Sequence, residues 1–332
     1  MLLLNRKDLA GAFTLPMVIT TVEQAFQDYH KGDLRVPGRL TTKYVDPKGS
    51  SLILPSLHTV QPFYGLKQAS VFPANLDKDL PSGLGQYFLY SAETGELLAL
   101  LDFVDLTNYK TAATAAIATK HLARSDACVL SIFGAGVLSR AVLAAVMEVR
   151  PIENVRIFDL SRERAECLVS WAQENLKEMV HYQLSTSQAE CLIDTDIICT
   201  CTTSLSPVFE GSLLPAGCHL NAMGSWRPEM QEIDALTVQR ADKIYCDVIA
   251  DTWQEAGDLI TPRDAGLIDT NVIHGELGAL LTGELSGRET SDEITMYESV
   301  GFGALDLSVA VGAYRASKAA GVGLKADWRH NS

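Results

Sequence analysis

Two glycines and a serine in the middle of the chain have the spacing of a phosphate-binding turn. They are Gly134, Gly136 and Ser139 in "FGAGVLSR", which follows an apolar run and precedes a helical one. In such a turn the first glycine permits a tight bend and the second lets a pyrophosphate approach the backbone, while a small third residue allows close helix–strand packing. The start of the helix then offers free N–H groups to phosphate. The pattern favours a dinucleotide site, with a ligand-free turn as the alternative.

An acidic residue follows at the distance expected for a ribose contact. Asp159 lies 25 residues after Gly134, at the end of the next apolar run. Its carboxylate would accept the ribose hydroxyls and repel a 2′-phosphate, so NAD(H) is favoured over NADP(H). Arg162 and Arg164 lie just beyond, and a phosphate could bind there instead, which leaves NADP(H) possible. Solvated charges in the first turn of a helix are the other interpretation.

The elements around this turn alternate between strand and helix. Helices are predicted at 139–149 and 161–179, and strands at 127–133, 154–160, 196–202, 217–224 and 242–248. Strands separated by helices give βαβ units and a doubly wound parallel sheet. The first 100 residues have shorter alternating runs, and a Glu-Thr-Gly turn within 85–102 predicts a hairpin, so this part is expected to be α+β.

Two further helices determine the predicted domain boundaries. The Ala-rich segment 105–124 predicts a helix that joins the two parts, and 303–321 predicts a helix that returns to the first part. The fold class is therefore α/β, with a doubly wound parallel sheet domain and a smaller α+β domain. The smaller domain is expected at 1–118 plus 306–332, and the dinucleotide-binding domain at 119–305.

Composition restricts the classes of partner. The chain has 332 residues and a formal net charge of −14, which disfavours nucleic acid and anionic membranes as partners. Charges follow the apolar N-terminal start within five residues, and there is no apolar run of about 18 residues, so a cytoplasmic location is expected. The seven cysteines lack C-x-x-C spacing, so reduced thiols are expected and no metal site is predicted.

Several segments together resemble the ornithine cyclodeaminase/mu-crystallin family, from about residue 4 to about residue 320. The segments are "ETGELLALLDFVDLTNYKTAATAAIATKHLAR", "GAGVLSRA", "IFDLSRERAE", "DIICTCTTSLSPVF", "LNAMGSWRPEMQEID" and "YESVGFGALDL". The resemblance implies a Rossmann domain and a smaller α+β domain that binds substrate and forms a homodimer. It also implies hydride transfer between a nicotinamide and the α-carbon of an amino or imino acid.

The resemblance implies a cationic substrate site. Arg39 in "VPGRL", Lys67 in "GLKQAS" and Lys110 in "NYKTAA" match its basic positions, although the family has arginine where this chain has Lys110. If the three cations meet, they would hold an α-carboxylate with its α-carbon facing the nicotinamide. Lys67 is the candidate catalytic residue, contacting the carboxylate and protonating the imine nitrogen. Lysine at 110 keeps the charge but loses the planar fork of arginine. Solvated surface cations are the alternative.

The same resemblance implies contacts to the cofactor and to the substrate from later segments. Val300 is expected beside the substrate. The cofactor contacts are expected from the glycine turn, from Asp159 and Arg162, and from Val137, Leu138, Lys110, Thr200, Met223, Gly224, Ser225 and Ser299.

Trp226 stands where cyclodeaminases of this family have an aspartate. Indole cannot accept a proton as a base at neutral pH, and its bulk fills the space that an open-chain diamine would need. Trp226 is therefore expected to line the substrate site and to disfavour ornithine cyclodeamination. Packing at a domain junction is the alternative, and a shifted alignment would supply Glu229 or Glu232 as the carboxylate.

The predicted activity is the NAD(P)H-dependent reduction of a cyclic imino acid, such as Δ1-pyrroline-2-carboxylate to proline. Alanine dehydrogenase, an opine-type dehydrogenase and ornithine cyclodeaminase are the enzymatic alternatives. A non-catalytic ligand-binding protein similar to a crystallin is the alternative of another class.

Overall fold

The computed structural model describes residues 1–45, 48–78, 80–176 and 179–327, and the chain divides into two compact units. The first unit comprises Met1–Lys110 and Phe302–Ser332, and the second unit comprises Thr111–Gly301. The two units are defined by the contacts that residues make within each unit. The predicted functional domains, divided at 118/119 and 305/306, stay a prediction.

The N-terminal part of the first unit is mainly β-structure, with helices α1 and α2 and the start of α3. Its elements are β1 (Leu2–Leu4), α1 (Arg6–Ala12), α2 (Leu15–His30), β2 (Leu34–Arg35), β3 (Leu40–Tyr44), β4 (Gly49–His58), β5 (Phe63–Val71), a 3₁₀ turn (Pro73–Lys78), β6 (Gly83–Ser91), β7 (Leu97–Asp102) and α3 (Val104–Leu122). Helix α3 begins in the first unit and ends in the second.

The second unit alternates between strands and helices, after which the chain returns to the first unit. The alternating elements are β8 (Val129–Phe133), α4 (Val137–Val149), β9 (Asn154–Phe158), α5 (Arg162–Asn175), β10 (His181–Leu184), α6 (Gln188–Cys191), β11 (Ile197–Thr200), a 3₁₀ turn (Gly211–Leu213), β12 (His219–Ala222), α7 (Ala235–Arg240), β13 (Lys243–Cys246), α8 (Ile249–Glu255), α9 (Gly257–Asp264), β14 (Gly275–Glu276), α10 (Leu277–Leu281) and β15 (Thr295–Glu298). The returning elements are α11 (Gly303–Ala320) and β16 (Leu324–Lys325).

The sheet of the first unit has the strand order β16-β1-β7-β6-β5-β4-β2, with β3 paired to β4. Strands β6 and β7 pair antiparallel, which confirms the predicted hairpin. Helix α11 packs against β4, β5 and β6 and against α1 and α2. Lys67 on β5 pairs with Tyr87 on β6, and side chains directly opposite each other share a face of the sheet. This register places the two side chains on one face.

The sheet of the second unit has the order β10-β9-β8-β11-β12-β15-β13-β14, and all its pairings are parallel. The predicted α/β class with a doubly wound parallel sheet is confirmed. The strand interiors are buried in one apolar core that includes Phe133, Ile198, Leu220, Ile244 and Met296.

Strands β10, β14 and β15 of the parallel sheet lie outside the predicted strands, and helix α5 differs from its predicted bounds. Strand β15 was not predicted, because "TMYE" is short and lacks strong β-branched patterning, yet it is fully buried between β12 and β13. Helix α5 ends at Asn175, where Leu176 turns to an extended conformation, so it is shorter than the predicted 161–179. Lys177 and Glu178 of that predicted helix lie outside the described residues.

Across the described ranges, no single helix is long and apolar enough to cross a membrane. Helices α1 and α2, which are bent by 85° at their junction, are long and apolar enough for a membrane span only when they are taken together, and only by length and composition. The expected cytoplasmic location stays a prediction.

Candidate active site

The turn between β8 and α4 has a backbone that requires glycine. Gly134 has φ +95°, a region that L side chains rarely adopt. A β-carbon on Gly134 would lie 2.7 Å from the carbonyl oxygen of Cys201, on the neighbouring strand end. The Gly134 N–H donates to the carbonyl oxygen of Phe158 at 2.8 Å, which fixes the turn against β9.

The start of α4 is suited to an anion. Gly136 is the N-cap, and a β-carbon there would point into open space among the described residues. Glycine has no side chain to cap the first N–H groups of the helix, so these groups and the helix dipole remain available to phosphate. Val137 is exposed and Leu138 half-buried at this start, and the buried Ser139 hydroxyl donates back to the Gly134 carbonyl at 2.8 Å.

Asp159 is held facing the glycine turn. Its carboxylate accepts the Ala135 N–H at 2.8 Å and the Ser161 N–H at 2.7 Å. The guanidinium of Arg164 lies 3.1 Å from the same carboxylate, whereas Arg162 is exposed and binds Glu166 at 2.8 Å. The two predicted phosphate-binding arginines are thus both paired with carboxylates.

A cavity of about 300 Å³ adjoins Asp159, within the second unit. It is lined by Phe158, Asp159, Leu160, Arg162, Leu184, Ser185 and Thr186. The glycine-only turn, the uncapped helix start and the oriented carboxylate fit the pyrophosphate and ribose of NAD(H).

Glu232 joins the ends of β11 and β12. Its carboxylate accepts the Thr200 hydroxyl at 2.7 Å, the Thr202 N–H at 2.5 Å and the Gly224 N–H at 2.7 Å. Glu232 is fully buried, and burial raises its pKa despite these hydrogen bonds. The three bonds connect Glu232 to both strand ends, and its role as the carboxylate of a shifted alignment stays a prediction.

The segment after β12 is tightly packed. A β-carbon on Gly224 would lie 2.3 Å from the carbonyl oxygen of Thr202, so only glycine fits there. Met223 is buried and its N–H donates to the Thr200 carbonyl at 3.1 Å. The buried Ser225 hydroxyl donates to the Met230 carbonyl at 3.0 Å.

Trp226 is a partly exposed aromatic residue at this edge of the sheet. It is 37% exposed, and the Arg227 guanidinium lies 4.0 Å from its ring centroid. Glu229 is exposed and lies 3.9 Å from Arg227. The Trp226 side chain is therefore held by a cation–π contact, while its predicted role toward substrate stays a prediction.

Asp247 shapes the turn that carries Ser299 and Val300. Its carboxylate accepts the Ser299 hydroxyl at 3.0 Å, the Gly301 N–H at 2.7 Å and the Tyr297 hydroxyl. Gly301 has φ +73°, and Val300 is half-buried between the two anchored residues. Asp247 was not predicted from sequence, because its partners lie about fifty positions further along the chain.

In the first unit, two of the three predicted substrate cations meet at one carboxylate. The Lys110 ammonium lies 2.6 Å from Oδ1 of Asp306, and the Lys67 ammonium lies 3.5 Å from the same oxygen. The exposed fractions are 8% for Lys67, 5% for Lys110 and 1% for Asp306. Arg39 differs from the two lysines because it is exposed, just before β3. Asp306 was not predicted from sequence.

Lys67 has the environment of a proton donor. Its pKa is lowered to about 8, mainly because burial removes the ammonium from water; the Lys110 charge also lowers the pKa, and the Asp306 carboxylate opposes both effects. The Phe103 ring lies 5.6 Å from the Lys67 ammonium. Next to it, burial raises the pKa of Tyr87, whose hydroxyl is 2.9 Å from that of Ser56. A lysine with a pKa near the working pH is suited to acid–base catalysis.

The described residues contain no group of three or more His, Cys, Asp or Glu side chains arranged to hold a metal ion.

A family model described as the ornithine cyclodeaminase/mu-crystallin family matches residues 2–320. This chain belongs to that family. The predicted family membership is confirmed, and the match spans both units.

Three full-length matches of this family member are named as a Δ1-pyrroline-2-carboxylate reductase or an alanine dehydrogenase. A Δ1-pyrroline-2-carboxylate reductase of Bacillus cereus is 33% identical over 328 residues, 99% of this chain and all of that protein. The structure of Thermococcus litoralis Δ1-pyrroline-2-carboxylate reductase in complex with NADH and L-proline matches with a TM-score of 0.93 and 34% identity, covering 98% of this chain and 100% of that one. An archaeal alanine dehydrogenase dimer with bound NAD matches with a TM-score of 0.92 and 27% identity, covering 99% of each chain.

Proposed function

We propose that this family member is an NAD(H)-dependent reductase that converts Δ1-pyrroline-2-carboxylate to L-proline. The observation that carries the proposal is the buried cluster of Lys67, Lys110 and Asp306, which combines a carboxylate-binding charge with a proton donor. The full-length relatives that carry this activity by name support the choice of substrate.

The reaction adds a hydride to the imine carbon and a proton to the imine nitrogen. NADH, when bound, supplies the hydride. The Lys67 ammonium gives its proton to the nitrogen and then regains one from solvent. Two lysines and one aspartate leave one net positive charge in the cluster, which matches the single carboxylate of the substrate. Arg39 is assigned to the same carboxylate by its position in the family's motif.

The second unit holds the nucleotide in this proposal. The N–H groups of Val137 and Leu138 at the start of α4 bind the pyrophosphate beside Gly134 and Gly136, and Asp159 accepts the ribose hydroxyls. The remaining contacts are assigned to the segments that Glu232 and Asp247 anchor. The nicotinamide is assigned to Thr200, Met223, Gly224, Ser225 and Ser299, and the substrate ring to Trp226 and Val300.

A homodimer is the assembly we assign to this chain. Residues that pair across neighbouring antiparallel strands have their side chains on the same face of the sheet. By this register, five large apolar residues of β3 to β6 lie on the face of the sheet that does not carry Lys67, and they are exposed in the single chain. They are Leu40, Tyr44, Ile53, Tyr64 and Leu84. An apolar sheet face of this kind marks a protein–protein contact, and a dimeric relative supports the assignment. Light scattering with size-exclusion chromatography tests it, with a monomer contradicting it.

A cytoplasmic location is part of the proposal. All seven cysteines are free thiols in the structure, which suits a reducing compartment.

The test is NADH oxidation by the purified protein with Δ1-pyrroline-2-carboxylate, followed by chromatographic detection of L-proline. The proposal expects equimolar proline and NAD⁺. Higher turnover with pyruvate and ammonia, or with a keto acid and an amino acid, would assign the chain to the dehydrogenase alternatives. NADH fluorescence quenching without oxidation would indicate a binding protein.

Ornithine with NAD⁺ is the separate test of the cyclodeaminase alternative. Because the position of the cyclodeaminase aspartate is occupied by Trp226, and Glu232 is engaged with two strand ends, we expect no ammonia or proline from ornithine. Ammonia release at a rate comparable to imine reduction contradicts this expectation.

A further inference from the structure

We propose that Asp306 is a positioning residue that keeps Lys67 in its charged, proton-donating form against the repulsion of Lys110. The catalytic consequence of this inference rests on the proposed function. Its physical basis is the geometry of the first unit. It concerns a residue that acts through Lys67, without contact to substrate.

The geometry places one oxygen between two ammonium groups. Asp306 lies in the first turn of α11 and is nearly inaccessible, while Lys67 comes from β5 and Lys110 from α3. Because both ammonium nitrogens contact Oδ1, at 3.5 and 2.6 Å, they lie within about 6 Å of each other, a distance at which like charges shift each other's protonation. Three separate elements therefore converge on one carboxylate.

Two effects act against the charge on Lys67, and Asp306 opposes both. Burial removes the ammonium from water, and Lys110 repels it. The groups that face Lys67 are Asp306 from α11, Lys110 from α3 and the neutral phenol of Tyr87 from β6, with the Phe103 ring beside them. Among these described neighbours, Asp306 is the group that carries a negative charge, so its removal leaves two buried ammonium groups without compensation.

The catalytic consequence follows from the proton balance. Each turnover takes one proton from the Lys67 ammonium to the imine nitrogen and leaves a neutral amine. The amine must regain a proton from solvent before the next turnover, and the carboxylate 3.5 Å away favours that step. Asp306 also holds Lys110, so the cluster keeps a single net positive charge toward the substrate.

Two substitutions are expected to shift the protonation of Lys67 in opposite directions. Asp306→Asn keeps the side-chain size, and we expect it to lower the titration midpoint of Lys67 by about one to three pH units. Lys110→Met removes the repelling charge, and we expect it to raise the midpoint. Asp105→Asn on the surface of α3, where Asp105 pairs with Arg6, is the matched control and is expected to leave the midpoint unchanged.

The measurement is an NMR titration of the Lys67 side chain in the full-length protein with ¹³C-labelled lysine, assigned through Lys67→Arg. A thermal melt of each variant verifies that it is folded. The pH profile of kcat/KM for imine reduction is recorded alongside, and its upper limb is expected to move with the NMR midpoint.

The outcomes separate this inference from the proposed function. An unchanged or raised Lys67 midpoint in folded Asp306→Asn overturns the inference, even if wild-type protein reduces Δ1-pyrroline-2-carboxylate. Opposite NMR shifts in a protein that does not reduce this imine support the inference and overturn the function. If Asp306→Asn does not fold, Lys110→Met decides, and a midpoint that does not rise counts against the inference.

Discussion

In the proposed function, the nucleotide turn and the lysine cluster bind charged groups in different ways. The turn lies within one βαβ stretch, and its essential features are backbone ones, a glycine at φ +95° and an uncapped helix start. The cluster draws Lys67, Lys110 and Asp306 from three separated elements, and its essential features are side-chain charges. A local backbone site depends on the absence of a β-carbon, whereas a side-chain site depends on mutual compensation of charge.

This difference determines which change damages which site. A β-carbon in the turn should impair nucleotide binding and leave the protonation of the cluster intact. A charge change at Lys67 or Asp306 should impair turnover and leave nucleotide binding intact. Each of the following substitutions tests that separation.

The largest effect is expected for Lys67→Met. The substitution keeps much of the stem and removes the ammonium, so turnover should fall by roughly 100-fold or more, as expected for the loss of acid–base catalysis. NADH affinity, measured by fluorescence titration, should persist. Lys43→Met on the exposed strand β3 is the control and should retain activity. Unchanged turnover in Lys67→Met would place the proton donor elsewhere.

A smaller effect is expected for Gly134→Ala. The positive φ costs roughly 1–2 kcal/mol for a residue with a β-carbon, and the carbonyl of Cys201 is in the way at 2.7 Å. NADH affinity should fall about tenfold or more, since 1.4 kcal/mol corresponds to a factor of ten. Gly32→Ala has a similar φ of +82° with open space around the β-carbon, so it controls for strain alone. Equal NADH affinity in both variants contradicts the assignment of the turn.

Cofactor preference is the next test. Asp159→Ser removes the charge that repels a 2′-phosphate and releases Arg164 from its partner at 3.1 Å. The ratio of kcat/KM for NADPH to that for NADH should rise about tenfold, because hydrogen bonds to a charged group contribute about 1.5–3 kcal/mol. Asp126→Asn, at an exposed position before β8, is the control and should leave the ratio unchanged. Wild-type protein that already prefers NADPH shows that the role given to Asp159 is wrong.

The smallest effect is a pH dependence of the wild-type protein. Burial lowers the Lys67 pKa from 10.5 to about 8, so the ammonium is present below that pH and is lost as the pH rises through it. Turnover should therefore fall to about half near pH 8 and decline further above it. A rate that stays constant to pH 10 would exclude Lys67 as the acid.

The sequence predicted the locally encoded parts of the molecule. The alternation around Gly134, the hairpin of β6 and β7, and the long helices α3 and α11 all have short-range patterns of hydrophobicity or turn residues. The glycine turn can be predicted from sequence for the same reason, because a tight bend and a close approach to the backbone each require glycine at a particular position.

The remaining parts depend on contacts between distant segments. Asp306 lies in an apolar helix, and no sequence motif around it predicts its partners, which lie about 200 and 240 positions earlier. Glu232 and Asp247 likewise act through hydrogen bonds to other segments, and their partners Thr200 and Ser299 lie 32 and 52 positions away. Strand β15 is inserted between β12 and β13, out of chain order, and only the completed sheet explains its burial.

The most direct test of the central claim follows the hydride itself. The purified protein is incubated with Δ1-pyrroline-2-carboxylate and NADH that carries deuterium at nicotinamide C4, prepared as each of the two stereoisomers. Mass spectrometry and NMR then locate the label in the product. The account predicts L-proline with deuterium at the α-carbon from one stereoisomer only. Proline without deuterium from both stereoisomers, or deuterium at another carbon or in water, would contradict direct hydride transfer to an imine.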